Sequence, residues 1–290
     1  MTQTLQASTT VKITDMLSPE DVQFVLDLVI EAGKLAVTMR QGVEITTKTS
    51  ADDLLTSADK ALSELIIKRL SERFPQDLVL SEEAPWQKDD GQKRRWIIDP
   101  IDGTKYYVDG TGKYAVMVGL VSNGREQYGW LYMPFYDIAY AGGPGALTTT
   151  VDKGQLTTKA ATTAAIAGPK LRLLVSRNDL NANAWLKELP DVELVTASSI
   201  AVDVHELKLD IADIFVHIRP TLGYWDTAAT GAVAQSMGFD VGTEVDDFIS
   251  YGQDTPVHKP HIVIGKKGSL SRWRKIYSDY QQLNGADSKQ

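Results

Sequence analysis

The hydrophobic period of this 290-residue chain changes twice, and those changes bound the folds open to it. Ser18-Pro19-Glu20-Asp21 predicts a helix start, because Ser18 suits the cap, Pro19 the first turn and the acids the positive end. Val22, Val25, Leu26, Val29, Ala32, Leu35, Ala36 and Met39 then recur at helical spacing. A second helix is expected over 57–73, with Leu62, Leu65, Ile66 and Leu70 on its apolar face and Pro75 helping to stop it. After it the apolar runs become short and β-like, at 78–80 and 96–98. Segments 114–121, 127–133 and 137–141 read as antiparallel strands joined by turns such as Ser122-Asn123-Gly124. Beyond Pro169 strand signals (171–175, 214–217, 262–264) alternate with helix signals (181–189, 200–207, 226–237, 270–283). The expectation is an α+β lobe over 18–168 followed by a smaller α/β lobe over 169–290, with 1–17 disordered. Residues 146–168 read either as a flexible linker or as a hairpin turning at Asp152-Lys153-Gly154.

Composition narrows the chemistry. There are no cysteines, which excludes disulfides, thiolate metal sites and cysteine nucleophiles. A net charge of −8 argues against binding a nucleic-acid polymer, although a small phosphorylated substrate stays open if a cation offsets its charge. The basic cluster Lys266-Lys267 through Arg272, Arg274 and Lys275 reads as a solvated helix face. The first twenty residues lack the apolar core of a secretory signal, and no run reaches the roughly 18 apolar residues of a membrane span. The expected setting is cytoplasmic, without membrane contact.

Carboxylates at strand ends carry the most information. Ser81-Glu82-Glu83 follows one apolar run. Trp96-Ile97-Ile98-Asp99-Pro100-Ile101-Asp102-Gly103-Thr104 places two acids three apart, just past another. Any one of them alone reads as a solvated turn or a cap. Together, with Pro100 holding the turn open, Asp99, Asp102 and the Ile101 carbonyl form a hard oxygen set suited to magnesium. Gly103 permits close approach to the backbone, and free amides from Gly103 onward would bind phosphate if a helix opens there. Asp226, in Tyr224-Trp225-Asp226-Thr227-Ala228-Ala229, and the acidic stretch from Lys48 to Asp59 both read as caps when taken singly. His258 and His261 lack further metal ligands nearby and read as a solvated loop.

In order and spacing these motifs resemble the inositol monophosphatase superfamily of magnesium-dependent, lithium-sensitive phosphomonoesterases. The resemblance rests on Asp99-to-Thr104, the Glu82-Glu83 pair, Trp225-Asp226 and the Lys48-to-Asp59 stretch, and covers residues 20–265. It implies an α-β-α-β-α sandwich of the inositol monophosphatase/fructose-1,6-bisphosphatase type, an α/β fold usually found as a homodimer. It also implies two or three Mg2+ ions. Glu82, Asp99 and the Ile101 carbonyl would hold one, and Asp99, Asp102 and Asp226 a second. Asp53 resembles the acid at a weaker third site. Thr104, with Glu82, resembles the pair that orients the attacking water, while Asp102 and the amides of Gly103 and Thr104 would meet the phosphate.

The substrate signal is divided. Lys105, Tyr114-Ala115-Val116, Tyr224 to Ala229, Ser176-Arg177 and Ser198-Ser199-Ile200 are similar to the 3′(2′),5′-bisphosphate nucleotidase branch, and Ser198 and Ser199 are its candidate substrate contacts. Three departures stand against that branch. Ala197 replaces a glycine, Ala201 stands where the branch has a phosphate-binding lysine, and Asn178-Asp179 replaces Ser-His. Asp53-Leu54-Leu55-Thr56 instead resembles the inositol monophosphatases. The resemblance thus implies a phosphomonoesterase for a small phosphorylated metabolite, bisphosphate nucleotidase-like first and inositol 1-phosphate-directed second. An inactive metal-binding scaffold is the reading from another class.

Overall fold

The computed structural model describes residues 16–47, 54–86, 94–162, 165, 166, 168, 170–252 and 255–287. Segment 1–15 and Asp53 lie outside them, and the disorder expected over 1–17 does not hold at its end, where Leu17 is buried in the core with Met16 packed against it. Helix α1 (Pro19–Met39) begins with the expected cap: Ser18 Oγ accepts from the Asp21 N–H (3.1 Å), and the Asp21 carboxylate accepts from the Ser18 N–H (3.1 Å). A short antiparallel pair, β1 (Ile45–Thr47) and β2 (Leu54–Thr56), leads into α2 (Ser57–Arg73). Both helices lie on one face of a seven-stranded sheet. Val25, Leu26, Leu28, Val29, Leu62, Ile66 and Leu70 are buried there, each large aliphatic contributing about 1.5–3 kcal/mol.

That sheet runs in spatial order through β3 (Leu78–Ser81), β4 (Arg95–Asp102), β5 (Ala115–Ser122), β6 (Arg125–Met133), β7 (Ile138–Gly142), β8 (Thr148–Asp152) and β9 (Gln155–Lys159). Only β3 and β4 pair in parallel. A short helix, α3 (Thr104–Asp109), leaves the end of β4. Residues 148–159 form the hairpin, not the linker, with Lys153 and Gly154 at positive φ in its turn.

The second sheet has the order β11 (Val192–Thr196), β10 (Leu171–Val175), β12 (Ile214–His217), β14 (Ile262–Gly265), β13 (Asp240–Thr243). β11, β10 and β12 are parallel, and β14 is antiparallel to both its neighbours. The helix expected over 181–189 is instead α4 (Arg177–Ala182) followed, after Asn183, by a 3-10 turn at Ala184–Glu188. Ser176 caps α4 through the Asp179 N–H, so the helix starts four residues before the expected point.

Helices α5 (Ile200–Lys208) and α6 (Tyr224–Ser236) fill the layer between the sheets, and α7 (Ser269–Asp287) covers the outer face of the smaller one. The result is five layers, α-β-α-β-α. The middle layer is tight: a Cβ on Gly129 of β6 would lie 2.3 Å from the Ala229 carbonyl oxygen of α6. Small residues along α6 allow that approach and fix its first turn against the end of β4. Among the described residues no helix is long and apolar enough to cross a membrane.

Candidate active site

β4 is buried along its whole length, and it does not stop at the first acid. Asp99 still pairs with Met117, the register then shifts, and Asp102 pairs with Ala115. The bulge spans Pro100, which has no N–H to leave unpaired. Both carboxylates therefore stand within the last turn of a rigid strand rather than on a loop beyond it.

The structure brings Asp99, Asp102 and Asp226 together, with one carboxylate oxygen from each within 4.8 Å of the others. Asp226 arrives from the third position of α6, where its Oδ2 accepts from the Gly223 N–H (2.6 Å); it caps the helix and faces β4 at once. Asp102 Oδ2 accepts from the Ala201 N–H in the first turn of α5 (2.9 Å). Burial pushes Asp102 up to about 6, with the amides of Ala201 and Ile200 and the Ser199 hydroxyl opposing it. Asp99 is raised well above the ordinary carboxylate value, first by burial and then by the charges of Glu82, Asp102, Asp226 and Asp59. Its Oδ1 is buried without a hydrogen-bond partner. A buried, partnerless carboxylate oxygen among other acids is costly unless a cation meets it. The donors are all oxygens, so the residues present fit a hard divalent ion such as magnesium.

Glu82 sits in the turn after β3, held by its N–H to the Ile98 carbonyl (3.1 Å), close enough for its charge to bear on Asp99 though outside the tight three-acid group. Gly103 adopts φ +85°, a left-handed conformation, and a Cβ there would sit 2.7 Å from Ser199 Cβ. Glycine is needed on both counts.

Asp59 ends the Lys48-to-Asp59 stretch, for which the sequence alone names no role for Asp59 beyond a cap. It does cap α2: its Oδ2 accepts from the Thr56 N–H (2.8 Å) and hydroxyl (2.5 Å). Its Oδ1 reaches Thr104 Oγ1 at 3.2 Å, and the same hydroxyl lies 3.2 Å from the Ile101 carbonyl oxygen. Thr104 is thus provided with two acceptors for its proton, leaving its lone pairs toward the site. The Thr56-Ser57-Ala58-Asp59 box was the available signal; the contact across 45 residues was not legible.

A cleft of about 640 Å³ opens from this centre, and Lys105, Arg177, His217 and Arg219 stand along it with Asp102 and Asp226. Asp179 organises one wall. Its Oδ2 is 3.2 Å from His217 Nδ1 and accepts from Ser176 Oγ (2.6 Å), and its Oδ1 accepts from Arg219 Nε (3.2 Å). Burial alone would raise Asp179, but His217, Ser176 and Arg219 together hold it well below the usual range. Ser198 lines the cleft with its hydroxyl and N–H donated to Asp203 (3.2 and 2.9 Å), and Ser199 is buried against Asp102 and Gly103. His258 and His261 are buried rather than solvated: His258 Nε2 pairs with Thr227 Oγ1 at 2.7 Å, and burial holds its pKa down to about 3.

The family model for the inositol monophosphatase family matches residues 20–267. A histidinol-phosphatase from Chlorobaculum parvum is 38% identical over 116 residues, 39% of this chain and 44% of the relative, so the match spans less than half that protein's length. The 3′(2′),5′-bisphosphate nucleotidase CysQ of Escherichia coli is 29% identical over 196 residues, 64% of this chain and 75% of CysQ. A staphylococcal IMPase-I, solved in complex with products, superposes with a TM-score of 0.73 at 17% identity, covering 90% of this chain and 96% of that one. The chain belongs to the inositol monophosphatase family and has its layered α/β sandwich fold.

Proposed function

We propose that this member of the inositol monophosphatase family is a magnesium-dependent phosphoric monoester hydrolase acting on a small phosphorylated metabolite, in the manner of the 3′(2′),5′-bisphosphate nucleotidases. The observation that carries the reading is the convergence of Asp99, Asp102 and Asp226, with the buried Asp99 Oδ1 lacking any protein partner. In this reading Glu82, Asp99, the Ile101 carbonyl, Asp102 and Asp226 hold two magnesium ions, and Asp53 serves a third. The lobe over 18–168 carries most of the ligands, and the lobe over 169–290 supplies Asp226. Magnesium supplies, when bound, positive charge that offsets the phosphate's own and acidifies water.

The chain's own residues do the rest. The Thr104 hydroxyl donates its hydrogen bond to Asp59 and the Ile101 carbonyl, so Thr104 Oγ1 accepts from an incoming water and aims it. Glu82, at the same end of the sheet, assists as general base. The Gly103 and Thr104 amides open α3 toward the phosphate with Asp102 beside them. Lys105, Arg177 and Arg219 face the remainder of the substrate. Arg219 is already paired with Asp179, so Lys105 and Arg177 are the cations that favour a substrate with a second anionic group, which supports the nucleotidase-like reading over inositol 1-phosphate. Ser198 and Ser199 shape that end of the cleft. The working unit in this reading is a cytoplasmic homodimer.

The test is phosphate release with magnesium from inositol 1-phosphate, adenosine 3′,5′-bisphosphate, fructose 1,6-bisphosphate and histidinol phosphate. The bisphosphate nucleotide should give the highest kcat/KM, and activity should vanish in chelator. Full turnover with verified absence of metal would refute the site. A preference for inositol 1-phosphate would leave the centre intact and move the substrate assignment to the monophosphatases.

A further inference from the structure

A second cavity, about 410 Å³, lies between the β8–β9 hairpin and the C-terminal end of α5. Its volume falls within the ~300–1,000 Å³ of small-molecule sites. Among the described residues, Lys159, Arg172, Lys208 and Lys266 line it against one lining carboxylate, Asp210, in a chain whose net charge is −8. Two of these cations are neutralised: Arg172 Nη2 and Lys266 Nζ lie 2.7 and 2.6 Å from Asp213 Oδ1, and both also pair with Asp210. This overturns the expectation of a solvated Lys266, which is buried.

Lys159 and Lys208 differ. Among the described residues neither makes an ion pair. Lys208 Nζ stands 4.1 Å from the centre of the Tyr140 ring. Desolvation and then the Lys159 charge hold Lys208 below the ordinary lysine value, with Asp152 opposing. Both side chains are exposed to solvent, and two cations at the mouth of one cavity attract an anion that can bridge them. Thr150 adds a hydroxyl, and Leu207, Met237 and Phe239 supply an apolar wall.

We propose that this cavity is a second ligand site that takes a small organic phosphate, its phosphoryl oxygens between Lys159 and Lys208 and its organic part on Leu207, Met237 and Phe239. It is separate from the acidic centre. α5 runs between them, with Ala201 on Asp102 in its first turn and Lys208 in its last, roughly 10 Å along the axis.

Calorimetric titration of the full chain with ADP, in chelator and at low salt, tests this without metal or turnover and so stands apart from the phosphatase reading. One ADP should bind per chain. Affinity should fall at least tenfold in Lys159→Met/Lys208→Met, stay within threefold of wild type in Lys159→Arg/Lys208→Arg, and be retained in Asp99→Asn. Inorganic phosphate should bind more weakly than ADP, because it cannot reach the apolar wall. Lys159→Gln alone, on an exposed strand, gives a folded variant if the double change does not, and should weaken ADP at least threefold. The proposal is overturned if wild type does not bind ADP, if the neutral variants bind as wild type does, if Asp99→Asn abolishes binding, or if phosphate matches ADP.

Discussion

Asp102 and Thr104 are two residues apart, yet their surroundings separate what each does. Asp102 is a buried carboxylate with Oδ2 on the Ala201 amide and a carboxylate oxygen within 4.8 Å of those of Asp99 and Asp226. Thr104 carries no charge, and its hydroxyl is set by Asp59 and the Ile101 carbonyl. Asp102→Asn should therefore weaken metal binding, nearly abolish turnover and be partly rescued by higher magnesium. Thr104→Ala should lower kcat by on the order of 10²–10⁴, as for loss of a general acid–base partner, with no rescue by magnesium. Asp59→Asn should follow Thr104→Ala rather than Asp102→Asn, because its work at the site passes through the threonine hydroxyl. Steady-state kinetics across a magnesium titration, with melting curves as control, measure all three. Early melting with near-normal kcat in all of them would reduce these residues to turn-formers, each worth about 1 kcal/mol as a cap.

At the scale of elements, the long helices and the buried strands were legible because their periods are long or their apolar runs dense. Ser18 and Pro19 mark the start of α1 without ambiguity. β4 was legible only as far as Ile98, since an acid after an apolar run reads as a strand end. Its continuation depends on β5 resuming the ladder one bulge later, which no local pattern carries. β13 is four residues with a glycine inside, too short to show alternation, and β11 is half-exposed. The packing of α6 on β6 hides a further group that the sequence did not single out. Glu126 is buried at the start of β6, accepts from Gln235 of α6, and lies near Arg125 and Tyr251. Burial pushes it from 4.5 up to about 7, with its own backbone amide, Gln235 and Arg125 opposing. The folded state thus holds this proton more tightly than the unfolded chain. That contribution is fully present below pH 4.5 and is lost as pH rises through about 7, amounting to about 3 kcal/mol. Glu126→Gln should remove the dependence. Denaturant melts at pH 5 and pH 8 should show wild type losing stability relative to the variant by that order; parallel behaviour of the two proteins would mean that Glu126 is charged in the folded state.

At the scale of the whole molecule, the acidic centre joins parts of the chain that no single element holds. Glu82 follows β3, Asp99 and Asp102 end β4, and Asp226 opens α6, while the amide of Ala201 braces Asp102 from α5. Without a cation these carboxylates repel one another across the junction of the large sheet and the middle helical layer, which adds to burial in raising Asp99. Metal binding is then linked to folding: an ion that binds only the folded state stabilises it by about 2.7 kcal/mol at a hundredfold excess over its Kd. For a 290-residue chain that corresponds to a rise in Tm of roughly 4–5 °C. Asp99→Asn should act in opposite directions on the two forms. In chelator it removes a buried like charge and should melt at or above wild type. In saturating magnesium it should fall below wild type, because the ligand set has lost its central carboxylate. Melting curves of both proteins across a magnesium titration should therefore cross. Parallel curves, with wild type gaining nothing from magnesium, would show that the cluster tolerates its own charge without a metal and would remove the electrostatic basis for placing one there.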